Sequence, residues 1–122
     1  MDAVLWTLSI LLAVTYTVTG AGKLAAPRER ILAMPGMGWV ADVQTPRVRM
    51  IGALEVAGAV GVVVPWATGI LPLLTPLAAI GLAAVQVGAI ITHAGRGEWE
   101  HLVLNFVLLA AAVVVAVGRI VG

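Results

Sequence analysis

Residues Ala3 to Gly22 form an almost unbroken apolar run. Its length matches the roughly 20 residues that a helix needs to cross a hydrocarbon core of about 30 Å. Three more such runs follow, Arg47 to Pro65, Pro72 to His93 and His101 to Ile120. Inside a bilayer no water is available to satisfy backbone N–H and C=O groups, so a spanning segment of this kind must be helical. Pro65, Pro72 and Pro76 fall at span ends or in first turns, where a missing backbone donor costs least. The links Trp66 to Leu71 and Ala94 to Glu100 are short, which makes consecutive spans antiparallel neighbours. The pattern predicts an all-α fold: one four-helix transmembrane bundle over residues 1–122, with spans at about 3–22, 47–65, 72–93 and 101–120.

The remaining residues fit that reading. Hydrophobic residues make up 61% of the chain and charged ones only 11%, against roughly half and a quarter in a soluble domain. The net charge of +1 and the absence of a basic, aromatic-interleaved patch argue against a nucleic-acid partner. With no cysteine, the chain holds no disulfide, thiolate site or dithiol, and electrons in any redox process must be carried by something else. The first run is preceded by Asp2 and by no Lys or Arg, so it is expected to be a span and not a cleaved leader. The one extended polar stretch, Lys23 to Pro46, contains Pro27 to Met34. That segment is expected to form a short amphipathic helix in the first loop, with Ile31, Leu32 and Met34 turned inward and Pro35-Gly36 ending it.

Orientation follows from the basic residues. Lys23, Arg28, Arg30, Arg47 and Arg49 lie at the first loop and Arg96 at the third, with Arg119 alone opposite. The first and third loops are therefore expected in the cytoplasm and both termini outside. Trp6 and Trp66 then lie at the outer interface, Trp39 and Trp99 at the inner one.

The second span contains Glu55, in the small-residue stretch Gly52 to Gly61. A carboxylate in a span costs at least about 2.5 kcal/mol on insertion scales, so it must face the bundle interior with a partner. At about 1.5 Å per residue, Glu55, Tyr16, Gln86 and Asn105 all lie roughly 9 to 11 Å inside the same end. Tyr16, Thr19 and Lys23 share one helix face, Gln86 and His93 a second, His101 and Asn105 a third. The spacing predicts a polar cavity opening at the loop end, with Glu55 turned towards Tyr16, Gln86 or Asn105. Alternatively Glu55 only sets helix register, ion-paired to Lys23 or Arg49. Tyr16, Lys23, Glu55, Gln86, His93 and Asn105 are the expected ligand-binding residues, with Glu55 and His93 the candidates for proton transfer. His101, beside Glu98 and Glu100, reads as a solvated loop-end residue. The spacing of His93, Glu98, Glu100 and His101 matches no ligand motif, so no metal is expected. Opposite Glu55, Ala53, Ala57 and Gly61 form a ridge suited to helix packing or to a homodimer.

Several stretches in order, Thr19-Gly20-Ala21-Gly22-Lys23-Leu24, Gly52 to Pro65 with its Gly-x-x-Glu core, Thr75 to Ala83, Gly88-Ala89 with His93, Arg96-Gly97-Glu98, and Asn105 with Gly118-Arg119, resemble the DoxX-like family of small four-span bacterial membrane proteins. The resemblance implies a four-helix membrane bundle and points to Lys23, Glu55, His93 and Asn105 as family-type positions. It also implies an association with thiosulfate:quinone oxidoreductase or other membrane oxidoreductase complexes. The expected function is therefore that of an accessory subunit binding a quinone or a small lipid-like amphipath. The alternatives are a membrane-embedded acid–base enzyme of the isomerase kind, a small transporter and a structural partner protein.

Overall fold

The computed structural model of the chain describes residues 2–121. In chain order they form α1 (Asp2–Ala25), α2 (Arg28–Ala33), a 3-10 turn (Gly38–Asp42), α3 (Thr45–Gly61), α4 (Val64–Thr68), α5 (Leu74–Gly95), a second 3-10 turn (Trp99–His101) and α6 (Leu102–Val121). Every regular element among the described residues is a helix. Four segments are long and apolar enough to cross a membrane: Asp2–Ala25, Thr45–Thr68, Leu74–Gly95 and Trp99–Val121. The spans start and stop within a few residues of the expected limits. The second runs on to Thr68 as two helices. Pro65 is the reason, because its ring would clash with the carbonyl four residues back, Gly61, and it has no N–H to bond that carbonyl. The helix breaks at Val62 and Val63. The freed Gly61 carbonyl accepts instead from Thr75 Oγ1, 2.9 Å away at the start of α5.

α1 packs against α3 and α5 against α6, and the two pairs join through α1–α6 and α3–α5. The α1–α3 contact is a close backbone approach: a Cβ on Gly20 would meet the Gly52 carbonyl at 2.7 Å, and one on Gly52 would meet the Gly20 carbonyl at the same distance. The tight seam of α3 therefore runs through Gly52, on the Glu55 side. On the opposite ridge Ala53 and Ala57 are exposed, while Gly61 sits against Ala78 of α5. The bundle core is Leu12, Tyr16, Ala59, Val62, Ala79, Leu82, Ala112, Val115 and Ala116. Val14, Val18, Leu54, Leu77, Ile91, Val103 and Val107 point outward and are exposed, an apolar exterior suited to lipid.

The first loop is more built than its polarity suggests. α2 buries Ile31 against Val40 and Val48, but Leu32 is exposed and Met34 half-buried, so the inward stripe is narrower than expected. Arg28 is not free to reach lipid phosphates; it donates to the Val40 carbonyl at 2.7 Å and the Val43 carbonyl at 2.9 Å. Arg49 Nη1 donates to the carbonyls of Lys23 (2.7 Å) and Ala26 (2.6 Å). It thus caps the end of α1, where unpaired carbonyls gather and a cation is favoured.

Candidate functional site

A cavity of about 460 Å³ opens at the loop end of the bundle. All six residues singled out for binding line it: Tyr16, Lys23, Glu55, Gln86, His93 and Asn105. They arrive from all four spans because each lies on the inward stripe of its helix: Tyr16 and Lys23 on α1, Glu55 on α3, Gln86 and His93 on α5, Asn105 on α6.

Glu55 points inward and is 2% exposed. Its direct partners are not Tyr16, Gln86 or Asn105. One carboxylate oxygen accepts from the Lys23 ammonium, and the other accepts from Thr19 Oγ1 at 2.9 Å. The Gly20–Gly52 approach explains this. Glu55 lies one turn beyond Gly52 on α3, and Thr19 and Lys23 flank Gly20 on α1, so the seam brings them together before Glu55 can reach across the bundle. Tyr16, one turn deeper, is met by Gln86, whose Nε2 donates to the phenol oxygen. The layer is thus two halves: an ionic group Glu55–Lys23–Thr19 on the α1–α3 seam, and a neutral group of the Tyr16–Gln86 pair with Asn105 on the lining of the same cavity.

Two atoms of that neutral group have no partner. Gln86 Oε1 and Asn105 Nδ2 are buried without a hydrogen bond, although buried amides ordinarily find one. One is an acceptor and the other a donor, and both side chains line the cavity.

At the mouth, His93 Nδ1 lies 3.0 Å from Glu98 Oε1. That hydrogen bond, helped by the charges of the neighbouring His93 and Arg96, holds the Glu98 carboxyl below the usual carboxylate range and outweighs the opposing effect of desolvation. Arg96 also donates to Asp42 of the first loop at 2.9 Å, so the two loops are clasped together over the opening. His101, in the loop-end turn with its side chain 30% exposed, also lines the cavity. Its ring is 5.1 Å from that of His93 and close enough to the first loop that a Cβ at Gly36 would meet it at 3.1 Å. Gly36 has φ +75°, a left-handed turn that brings this backbone in close. Pro35, Met37 and Trp39 of the same loop complete the lining. Their contribution was hidden in the sequence because a loop's path over a bundle leaves no periodic signal. Among the described residues no group of three or more His, Asp or Glu side chains is placed to hold a metal ion.

The model of the DoxX-like family matches residues 7–115, nearly the whole bundle and all six lining residues named above. No curated protein matches the chain, and no solved structure does.

Proposed function

The chain belongs to the DoxX-like family and is a membrane protein with four apolar helices, and from that premise we propose that its polar cavity binds a small amphipathic molecule, a quinone or lipid-like metabolite. In this reading the protein is an accessory subunit of a redox system in the bacterial inner membrane. The observation that carries the proposal is the unpartnered pair Gln86 Oε1 and Asn105 Nδ2. A buried donor and a buried acceptor left unmade each cost about 1–3 kcal/mol, and a ligand head group offering one acceptor and one donor would satisfy both. The positive charge of Lys23 is already met by Glu55, so the head group is neutral. A quinone carbonyl suits Asn105 Nδ2, and the hydroxyl of its reduced form, or of a lipid alcohol, suits Gln86 Oε1 as well.

Tyr16, Gln86 and Asn105 would orient that head group. Glu55, its position fixed by Lys23 and Thr19, would accept a hydrogen bond from the head group, and His93 would line the entrance. The basic residues gathered at the cavity's end favour a cytoplasmic opening. Because the chain has no cysteine, electrons would travel on the ligand or on a partner protein. A second reading, acid–base catalysis by Glu55 and His93, is favoured by their both lining one cavity. It is weakened because each is already engaged, Glu55 by Lys23 and His93 by Glu98.

The test is binding of a quinone, its quinol and a long-chain alcohol to the purified protein, read by quenching of Trp39, which lines the cavity. Wild type should bind, Asn105→Leu combined with Gln86→Leu should lose at least about tenfold in affinity, the equivalent of about 1.4 kcal/mol, and Glu55→Gln should weaken binding less. Equal affinity in wild type and the double variant would refute the site.

A further inference from the structure

The far end of the bundle holds a second polar group, separated from the cavity by the dry core around Leu12, Val62, Ala112 and Val115. Arg119, on the last turn of α6, has its side chain only 3% exposed. Its guanidinium carbon lies 4.6 Å from the ring centre of Trp66 and 5.1 Å from that of Trp6. One terminal nitrogen, Nη1, donates to Asp2 Oδ1 at 2.7 Å. The other two, Nε and Nη2, are buried and have no partner.

These two nitrogens form one edge of the guanidinium plane, the edge that grips two oxygens of a phosphate or carboxylate at once. The indole rings compensate the charge through their faces, but they leave the two in-plane N–H groups without an acceptor. Asp2 satisfies one corner only, and its own side chain is 73% exposed on the first turn of α1. Such a carboxylate can swing into water and open the guanidinium to a second anion on its unfilled edge.

We infer that the Nε/Nη2 edge of Arg119 is a phosphate site, filled by the phosphodiester of a membrane phospholipid. The surroundings favour that source over free phosphate. Arg119 lies at the end of an apolar span, at the level where two tryptophans mark the membrane interface. Beside it Ile120 and Val121 of α6 are exposed, as is Val4 on α1, and α1 and α6 are in contact there, with Gly118 against Leu5. A lipid whose acyl chains cover that apolar rim carries its phosphate at the depth of the guanidinium. A soluble ion has no such anchor.

Native mass spectrometry of the full chain decides the matter, comparing retention of phosphatidylglycerol with that of a galactosyl diacylglycerol bearing the same acyl chains. Wild type should prefer the phospholipid by about tenfold or more, as expected for two charge-assisted hydrogen bonds. Arg119→Gln should abolish the preference. Should that variant not fold, Asp2→Asn keeps the guanidinium, removes the carboxylate that partly neutralises it, and should raise phospholipid retention. Inorganic phosphate at millimolar concentration should not displace the lipid. Equal retention of both lipids by wild type, a preference that survives in Arg119→Gln, a loss in Asp2→Asn, or displacement by inorganic phosphate would each overturn the assignment.

Discussion

The Glu55–Lys23 pair is the costliest feature of the bundle and the most informative to break. Both side chains are nearly buried, at 3% and 9% exposure. Removing one member of a buried pair typically costs about 3–5 kcal/mol, because the survivor is left charged and unpaired, whereas replacing both with well-packed apolar groups is often close to neutral. Here the pair borders a polar cavity of about 460 Å³, where water can partly solvate a survivor, so the low end applies. Glu55→Leu and Lys23→Met are each expected to destabilise by about 3 kcal/mol. The double variant should cost far less than the sum of about 6 kcal/mol, with a coupling energy of at least about 2 kcal/mol. Reversible unfolding in mixed detergent micelles gives all four corners of the cycle. Additive costs would show that the two charges do not stabilise each other, and the structural account of this half of the layer would fall.

Three further outcomes follow from local geometry. Gly52→Ala should separate α1 from α3 and destabilise by about 1–3 kcal/mol, since its Cβ would meet the Gly20 carbonyl at 2.7 Å. Gly81→Ala, with nothing within 4 Å, should instead be neutral or stabilise by up to about 1 kcal/mol; equal effects in the same unfolding assay would contradict the close approach. The His93–Glu98 link should be acid-sensitive. The Glu98 carboxyl titrates below its ordinary value in the folded protein, so the unfolded chain binds the extra proton first. The contribution is therefore present above the ordinary carboxylate range and lost as pH falls through the folded value. Melting scans of wild type and Glu98→Gln across that window should differ in slope; parallel curves would remove the link from the account.

How far these features could be read from the sequence depended on whether they repeat along a helix. The four spans and the inward position of Tyr16, Glu55, Gln86 and Asn105 follow from apolar run length, depth and helical period, all local properties of one chain segment. The pairing of Glu55 with Lys23 and Thr19 depended on how closely α1 and α3 approach. That distance is set by Gly20 and Gly52 facing each other, 32 positions apart, and depth alone gives no interhelical distance. The second span was expected to end at Pro65, whereas the helix breaks at Val62 and Val63 and resumes to Thr68, because the proline acts on the carbonyl four residues earlier and not at its own position. The Arg119 cluster was the least legible: Asp2 and Trp6 come from the other end of the chain and Trp66 from its middle, and nothing short-range announces that they meet. The loop clasp through Arg96, Asp42, His101 and Gly36 was hidden for the same reason.

The claim at the centre of this account is that the cavity beside Glu55 holds a neutral amphipath whose head group completes the hydrogen bonds of Gln86 and Asn105. A crystal structure of the protein grown from a lipid mesophase, without added ligand and again with quinol, tests it most directly. The account predicts density in the cavity with a polar end within about 3.2 Å of both Asn105 Nδ2 and Gln86 Oε1. Ordered water alone on those two atoms in both crystals would contradict it.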